Sequence, residues 1–287
     1  MDLAATLLDG MLLGGLYALF AAGLSLIFGV MRLVNIAHGD FTVLSGYITL
    51  VITDRLGIHP LASLALVVPL MALLGYGLQR GILNPALSNE LLRPVLVSFG
   101  LSVVIQNALL QIFSADSRRL QAGDLETLHI DLPGGLAVGV LPSLMFIVAL
   151  AVIGGLQLLL YHTEPGRAFR CLSDDQETAQ LVGINHAHLF GLAMALSLAI
   201  VTVAGVFLGI RTNFDPSIGP ARLVFAFEAV IIGGLGDFRG TLIGGVILGV
   251  AQTVGARISP GYQILAGHLV FLAILTLRPQ GFWAKMH

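Results

Sequence analysis

The sequence predicts an all-α fold, a polytopic transmembrane helical bundle, and three observations predict it. The chain is 56% hydrophobic and only 10% charged over its 287 residues, where a soluble domain carries roughly 25% charged residues; its mean hydropathy is +0.94. Apolar stretches of about 20 residues recur along the whole length, which suits a hydrocarbon core of about 30 Å crossed at about 1.5 Å per residue. These runs lack the period-two alternation of barrel strands, and in lipid only helices or closed barrels satisfy their own backbone hydrogen bonds. We therefore expect a single domain over 1–287 with about eight or nine membrane segments, two of them short or interrupted.

Helices are predicted over residues 10–30, 41–53, 61–79, 94–113, 137–161, 189–210, 223–234, 240–257 and 262–277. The first follows MDLAATLLDG, which holds Asp2 and Asp9 and precedes the first cation, Arg32. Without the basic region of a secretory leader it reads as a retained span. The segments 41–53 and 223–234 are too short to cross alone, and each abuts a polar loop containing glycine. Interrupted helices are tolerated at depth where protein or a water-filled path covers them.

Two loops stand out. Residues 114–135, SADSRRLQAGDLETLHIDLPGG, carry four acids and alternate apolar residues in LETLHIDL like a short hairpin; we expect an external elaboration. Residues 163–188, TEPGRAFRCLSDDQETAQLVGINHAH, form the expected cytoplasmic loop. There Pro165 and Gly166 should end the preceding helix, and Ser173 or Asp174 should cap a new one over about 175–182 that stops at Gly183. A short amphipathic helix held between two spans suits docking into a groove on a soluble partner. With this loop inside, Arg32, Arg80, Arg93, Arg167, Arg170, Arg239, Arg278 and Lys285 are cytoplasmic, and Arg55, Arg118, Arg119, Arg211, Arg222 and Arg257 are external. The excess of cations inside is small but has the expected sign.

Glycines concentrate at Gly233, Gly234, Gly236, Gly240, Gly244, Gly245 and Gly249. The pairs Gly240/Gly244 and Gly245/Gly249 have the G-x-x-x-G spacing that lets helix backbones approach closely. A crowded core, and with it a translocation path, is expected here.

Polar residues inside apolar surroundings supply the remaining candidates. In VNIAHGDF, Asn35 and Asp40 flank a turn; Asp40 can cap a helix starting at Phe41 or line the path with Asn35, His38 and Gly39. Glu228, in VFAFEAVII, should face the bundle interior or water, where it lines the path, pairs with a cation such as Arg222, or couples protons. The triplet GDF recurs at 39–41 and 236–238, each time beside a short segment. This is either a matched interruption of two transporter halves or coincidence, and it adds Gly236 and Asp237 to the candidates.

Other classes are excluded. The one cysteine, Cys171, precludes a disulfide framework, and apart from the H-x-H of His186 and His188 no Cys/His spacing suits a metal. No cofactor is expected. A net charge of −2 without a basic patch gives no sign of nucleic acid.

Resemblance then sharpens the reading. Glu177-Thr178-Ala179 followed by Gly183-Ile184 resembles the E-A-A-x-x-x-G signature of importer-type ABC permeases, with Thr178 in place of the usual Ala. GLSLIFGVMRLVNIAHGDF at 23–41, FEAVIIGGLGDFRGTLIGGVILGV at 227–250 and RPQG at 278–281 are similar to the branched-chain amino acid permease family of the LivH/LivM type, and closer to LivH. The resemblance implies an importer with a second, LivM-like permease subunit, two cytoplasmic ATPases docking on Glu177, Thr178, Ala179, Gly183 and Ile184, and an external substrate-binding protein, in the bacterial inner membrane. The absence of a G-x-x-x-x-G-K-[ST] phosphate loop agrees, since ATP would be hydrolysed on another chain. The same family implies urea or short-chain amides as alternative substrates; from another class, an ion-coupled secondary transporter using Asp40 or Glu228 remains open.

Overall fold

The structure, a computed structural model, describes residues 3–87, 92–132 and 136–282. Lys285, assigned above to the cytoplasmic side, and residues 133–135 of the polar loop lie outside that set. All nine predicted helices are present. In chain order they begin with α1 (Leu3–Met31), α2 (His38–Leu56) and α3 (Pro60–Leu78), which runs through a π turn (Gln79–Leu83) into the single turn α4 (Asn84–Ala86), and then α5 (Leu92–Phe113). A 3₁₀ turn (Gly123–Glu126) and the strands β1 (His129–Leu132) and β2 (Leu136–Gly139) lead to α6 (Val140–His162), α7 (Glu164–Asp174) and α8 (Gln176–Leu181). The chain closes with α9 (His186–Arg211), α10 (Gly219–Gly233), α11 (Phe238–Ile258) and α12 (Tyr262–Leu277). Among the described residues six helical stretches, Leu3–Met31, Pro60–Ala86, Leu92–Phe113, Val140–His162, His186–Arg211 and Phe238–Ile258, are long and apolar enough to cross a membrane.

Several boundaries differ from expectation for identifiable reasons. Asp40 does not cap α2. The Asn35 side chain accepts a hydrogen bond from the Ala37 N–H at 3.1 Å, and this Asx turn starts the helix at His38, with Ala37 in the cap position. Only the second half of LETLHIDL is a strand: β1 pairs antiparallel with β2, Ile130 opposite Val138. The preceding residues curl because the Glu126 carboxylate binds Arg119 at 2.6 Å and the Ala122 N–H at 2.7 Å. Because β2 takes up Leu136–Gly139, α6 starts later than predicted. Pro165 does not merely end α6; in the first turn of α7, where its missing N–H is no loss, it helps start a helix capped by Thr163, whose Oγ1 accepts from Gly166 N–H at 3.2 Å.

α1 is the central post, packed by α6, α9, α10 and α11. In lipid the hydrophobic effect does not drive helix against helix, so close backbone contact must hold the bundle. The glycines provide it on two faces of α11. Gly245 and Gly249 lie against Gly10, Gly14 and Ala18 of α1, where a Cβ on Gly245 would fall 2.7 Å from both the Ala18 nitrogen and the Gly14 oxygen. Gly240 and Gly244 lie against Gly233 and Ala229 of α10.

The helices form two halves with the same packing order. In the first, α2 and α3 lie on α9 and α5 flanks α2; in the second, α10 and α11 lie on α1, and α12 packs chiefly on α11 and also touches α10. α1 ends, and α9 begins, at the end of the bundle that carries α7 and α8, where Arg32 donates to the Ser173 carbonyl at 3.2 Å and Tyr76 hydrogen-bonds His188 at 2.8 Å. The halves are therefore inverted with respect to one another, an arrangement that in transporters places the pathway at their junction. GDF is not the signature of this repeat: residues 39–41 lie in the first turn of α2, whereas Asp237 caps α11, the third helix of its half.

The far end gathers the 57–59 turn, the β1–β2 segment and residues 212–218. His59 meets the Ala122 carbonyl at 3.2 Å, and Arg118 exchanges backbone hydrogen bonds with Phe214 at 2.8 and 2.9 Å. Arg222 is not out at this end with the other cations; it is drawn inward over the Phe225 ring, 5.8 Å from its centroid.

Candidate functional site

The junction of the two halves is where α2 and α10 begin beside one another. A Cβ on Gly39 would lie 2.9 Å from the Leu223 nitrogen, so glycine is what permits the two first turns to meet. Asp40, fully buried at 0% exposure, sits against Gly219, the first residue of α10, and faces Ser102 and Gln106 of α5. Neither carboxylate oxygen has a hydrogen bond of good geometry. The carboxylate thus lies in the first turn of its own helix and beside the first turn of another, where two sets of partly positive helix N-termini favour negative charge. Asn35 is spent on its turn and reaches Met194 sulfur at 3.9 Å. His38 meets the Phe20 carbonyl through Nε2 at 2.9 Å, while its Nδ1 has no partner. These four candidates form one cluster.

Glu228 belongs to a second. It is 2% exposed, and its partner is His268 of α12, whose Nδ1 hydrogen-bonds Glu228 Oε1, instead of Arg222. His268 stacks on Phe225 at 6.2 Å between centroids, Phe225 packs on Tyr17 at 5.3 Å, and the Tyr17 hydroxyl donates to Gln252 Oε1. Sequence reasoning missed His268, Tyr17 and Gln252. The available signal was the acid itself, since a carboxylate inside a span requires a partner.

Gly233, Gly234, Gly236 and Asp237 form a third group, at the α7–α8 end. Gly234 and Gly236 have φ of +109° and +80°, which glycine alone adopts without strain, and Gly236 abuts Gly29 near the end of α1. Asp237 caps α11, accepting from the Gly240 N–H at 2.9 Å. The two GDF breaks therefore do not meet: Asp40 is enclosed beside α10, and Asp237 sits in a partly exposed turn.

In the loop between α6 and α9 the cap of α8 is Asp175, one or two residues beyond the expected Ser173 or Asp174. Its Oδ1 accepts from the N–H groups of Glu177 at 2.9 Å and Thr178 at 3.1 Å, and its Oδ2 from the Thr178 hydroxyl at 2.6 Å. The Thr178 hydroxyl foremost, and then these N–H groups, hold the Asp175 carboxyl below its ordinary pKa. Thr178 thus gains a capping bond that Ala lacks. Gly183, at φ +86°, ends α8: its N–H donates to the Gln180 carbonyl at 3.0 Å and that of Ile184 to Ala179 at 3.0 Å, the paired bonds of a Schellman stop. Ala179 is buried and Ile184 half-buried, so these members of the docking signature shape the helix. The apolar surface it presents is Leu181, 87% exposed, and Val182, 68% exposed, neither of which the signature points to.

A protein-family comparison matches residues 6–277 to the family described as branched-chain amino acid transport system / permease component. The chain is 29% identical to the high-affinity branched-chain amino acid transport system permease protein BraD of Pseudomonas aeruginosa, over 97% of this chain and 95% of that one. It is 26% identical to the corresponding permease protein LivH of Salmonella typhimurium and 25% identical to LivH of Escherichia coli, in each case over 96% of this chain and 94% of the relative. No solved structure matches. With the helical bundle and its apolar spans, this makes the chain a multi-pass permease of the bacterial inner membrane that belongs to the permease-component family of branched-chain amino acid transport systems.

Proposed function

We propose that this permease imports branched-chain amino acids, the substrates that its relatives' names indicate, or other hydrophobic amino acids, within an ATP-driven transporter. Two cytoplasmic ATPases dock on α8, an external binding protein delivers substrate at the opposite end, and a second, LivM-like permease completes the membrane part. The observation that carries the ATPase arm is α8 itself: a helix capped at both ends, tied between two membrane helices, turning Leu181 and Val182 outward. A rigid apolar tip on an amphipathic helix is what a groove on a soluble partner can grip. The greater number of arginines at the α7–α8 end supports placing that end in the cytoplasm.

The pathway follows the junction of the inverted halves, around Asn35, His38, Gly39 and Asp40, with Glu228 on the adjoining wall and the Gly233–Asp237 turn below it. The bundle there carries few fixed charges, and a path of that kind lets a zwitterion pass without holding it; the binding protein supplies selectivity. Rocking of one half against the other, driven through α8, alternates access.

Substituting Gly183 with Val tests the docking arm. A β-branched residue at φ +86° is strained, by about 1–2 kcal/mol or more, and should unravel the stop of a six-residue helix. Membrane insertion should persist and ATPase association should be lost. Normal co-purification and normal transport would count against the assignment.

A further inference from the structure

Enclosed polar groups normally find hydrogen-bonding partners, and around Phe225 of α10 several do not. Glu228, 2% exposed, gives its Oε1 to His268 and leaves Oε2 without a partner. Gln252, 1% exposed, accepts from the Tyr17 hydroxyl through Oε1 and leaves its Nε2 donor unused. The buried Nε of Arg222 and Nη1 of Arg211 are unmet as well. A negatively charged acceptor and three donors, two of them cationic, therefore stand open in one neighbourhood. Tyr17 is the point they share: its hydroxyl bonds Gln252, and Arg211, Arg222 and Glu228 all act on it electrostatically.

The simplest closure would be an Arg222–Glu228 ion pair, and among the described residues it does not form: the acid is bonded to His268 instead. Helical side chains lean toward the helix N-terminus, so Glu228 leans outward along α10, while Arg222 is drawn inward over Phe225, 5.8 Å from the ring centroid. His268, stacked on the same ring at 6.2 Å, fixes the Glu228 end. Acid and cation thus approach the level of one ring from opposite directions and stop short of contact. Gln252 and His268 each lie six residues inside the outer end of their helices, about 9 Å at the helical rise and toward the midplane, where transporters place their substrate sites.

We propose that this cluster is a weak binding site for an α-amino acid zwitterion, with the carboxylate on the Arg222 guanidinium and Gln252 Nε2 and the ammonium on Glu228 Oε2; this rests on the importer reading above and adds which groups receive the substrate's charged ends. The lining calls for a ligand that carries both charges. An anion alone would leave Glu228 unmet, and a cation alone would leave Arg222 unmet. Arg211, the last residue of α9, comes from the other half of the bundle, so a bound carboxylate is also attracted across the junction whose rocking alternates access. Every contact is to groups that all α-amino acids share, which leaves selectivity among side chains to the binding protein.

The test is a saturation-transfer NMR titration of three probes against the whole transporter in lipid nanodiscs, without binding protein: L-leucine, isocaproate, which lacks the ammonium, and isoamylamine, which lacks the carboxylate. The parent should bind leucine about tenfold or more tightly than either analogue, the size of a charge-assisted hydrogen bond. Glu228→Gln should erase the advantage of leucine over isocaproate. Arg222→Gln should erase its advantage over isoamylamine, and Arg222→Lys should restore part of it. A purely structural role would not give this crossed pattern, and a melting scan verifies the fold of each variant. The site is overturned if affinity for all three probes falls alike, or if both Gln variants bind leucine within about twofold of the parent. It is overturned equally if the parent binds none of the probes at millimolar concentration while ATP drives its leucine uptake. If the crossed pattern appears but ATP and loaded binding protein drive no leucine uptake by the parent, the site stands and the importer reading fails instead.

Discussion

Truncating Leu181 to Ala isolates the ATPase contact from the stability of the permease. Leu181 is 87% exposed in the isolated chain, so it adds almost nothing to the fold, and Ala is at least as good a helix former. Burying a leucine fully is worth about 1.5–3 kcal/mol. Losing about 1–2 kcal/mol of that on truncation corresponds to roughly a 5- to 30-fold weaker complex, at about 1.4 kcal/mol per tenfold. Leu181→Asp should weaken it further, because a carboxylate would have to be desolvated in an apolar groove. The assay is titration of fluorescent ATPase subunits onto permease in lipid nanodiscs, with a melting scan to show that the permease is unchanged. If Kd for both variants stays within about twofold of the parent, the groove does not grip Leu181 and the docking argument fails.

Three further outcomes follow from the geometry. Gly245→Leu places side-chain atoms where the backbones of Gly14 and Ala18 already stand, so its melting temperature should collapse, whereas Gly154→Leu, with nothing within 4 Å of the added Cβ, should be silent; equal melting temperatures would refute the glycine contact as the clamp on α1. Glu228→Ala and His268→Ala should each cost about 1–3 kcal/mol, with the double variant little worse than either single one, and Glu228→Gln should retain most of the stability; additive losses in chemical denaturation would show that the two side chains do not act as a pair. The Asp175 carboxyl is held below its ordinary value by Thr178 and neighbouring N–H groups, so its cap is fully formed above the ordinary carboxylate pKa of about 3.9 and is lost as pH falls through the lowered folded value. ATPase binding should therefore be flat between about pH 8 and pH 5 as far as this group is concerned, and an Asp175→Asn variant should show the same profile there; a fall near neutrality that the substitution abolishes would contradict this.

The helices were legible because apolar runs of membrane length leave little else for the chain to do. Their ends were less so, since local hydrogen bonds decide them. Asp40 reads as a cap in the sequence, but Asn35 starts the turn earlier and leaves Asp40 for the junction with α10. Pro165 reads as a stop, yet two residues after a capping Thr163 it is a start. The docking signature was visible, but much of it, Ala179, Gly183 and Ile184, builds the end of α8, and the exposed Leu181 and Val182 are ordinary apolar residues whose orientation only the fold reveals. Long-range partners were the least legible. Nothing near Glu228 in the sequence indicates His268, 40 residues away, and nothing in GDF shows that one copy lies enclosed at the junction while the other turns a corner.

The most direct test of the account is leucine uptake into proteoliposomes containing this permease, its second permease and the ATPases, with loaded binding protein supplied on the external side. Uptake should require ATP hydrolysis together with the binding protein, and should be indifferent to proton and sodium gradients. Uptake driven by either gradient in vesicles containing the permease without ATPases would contradict it.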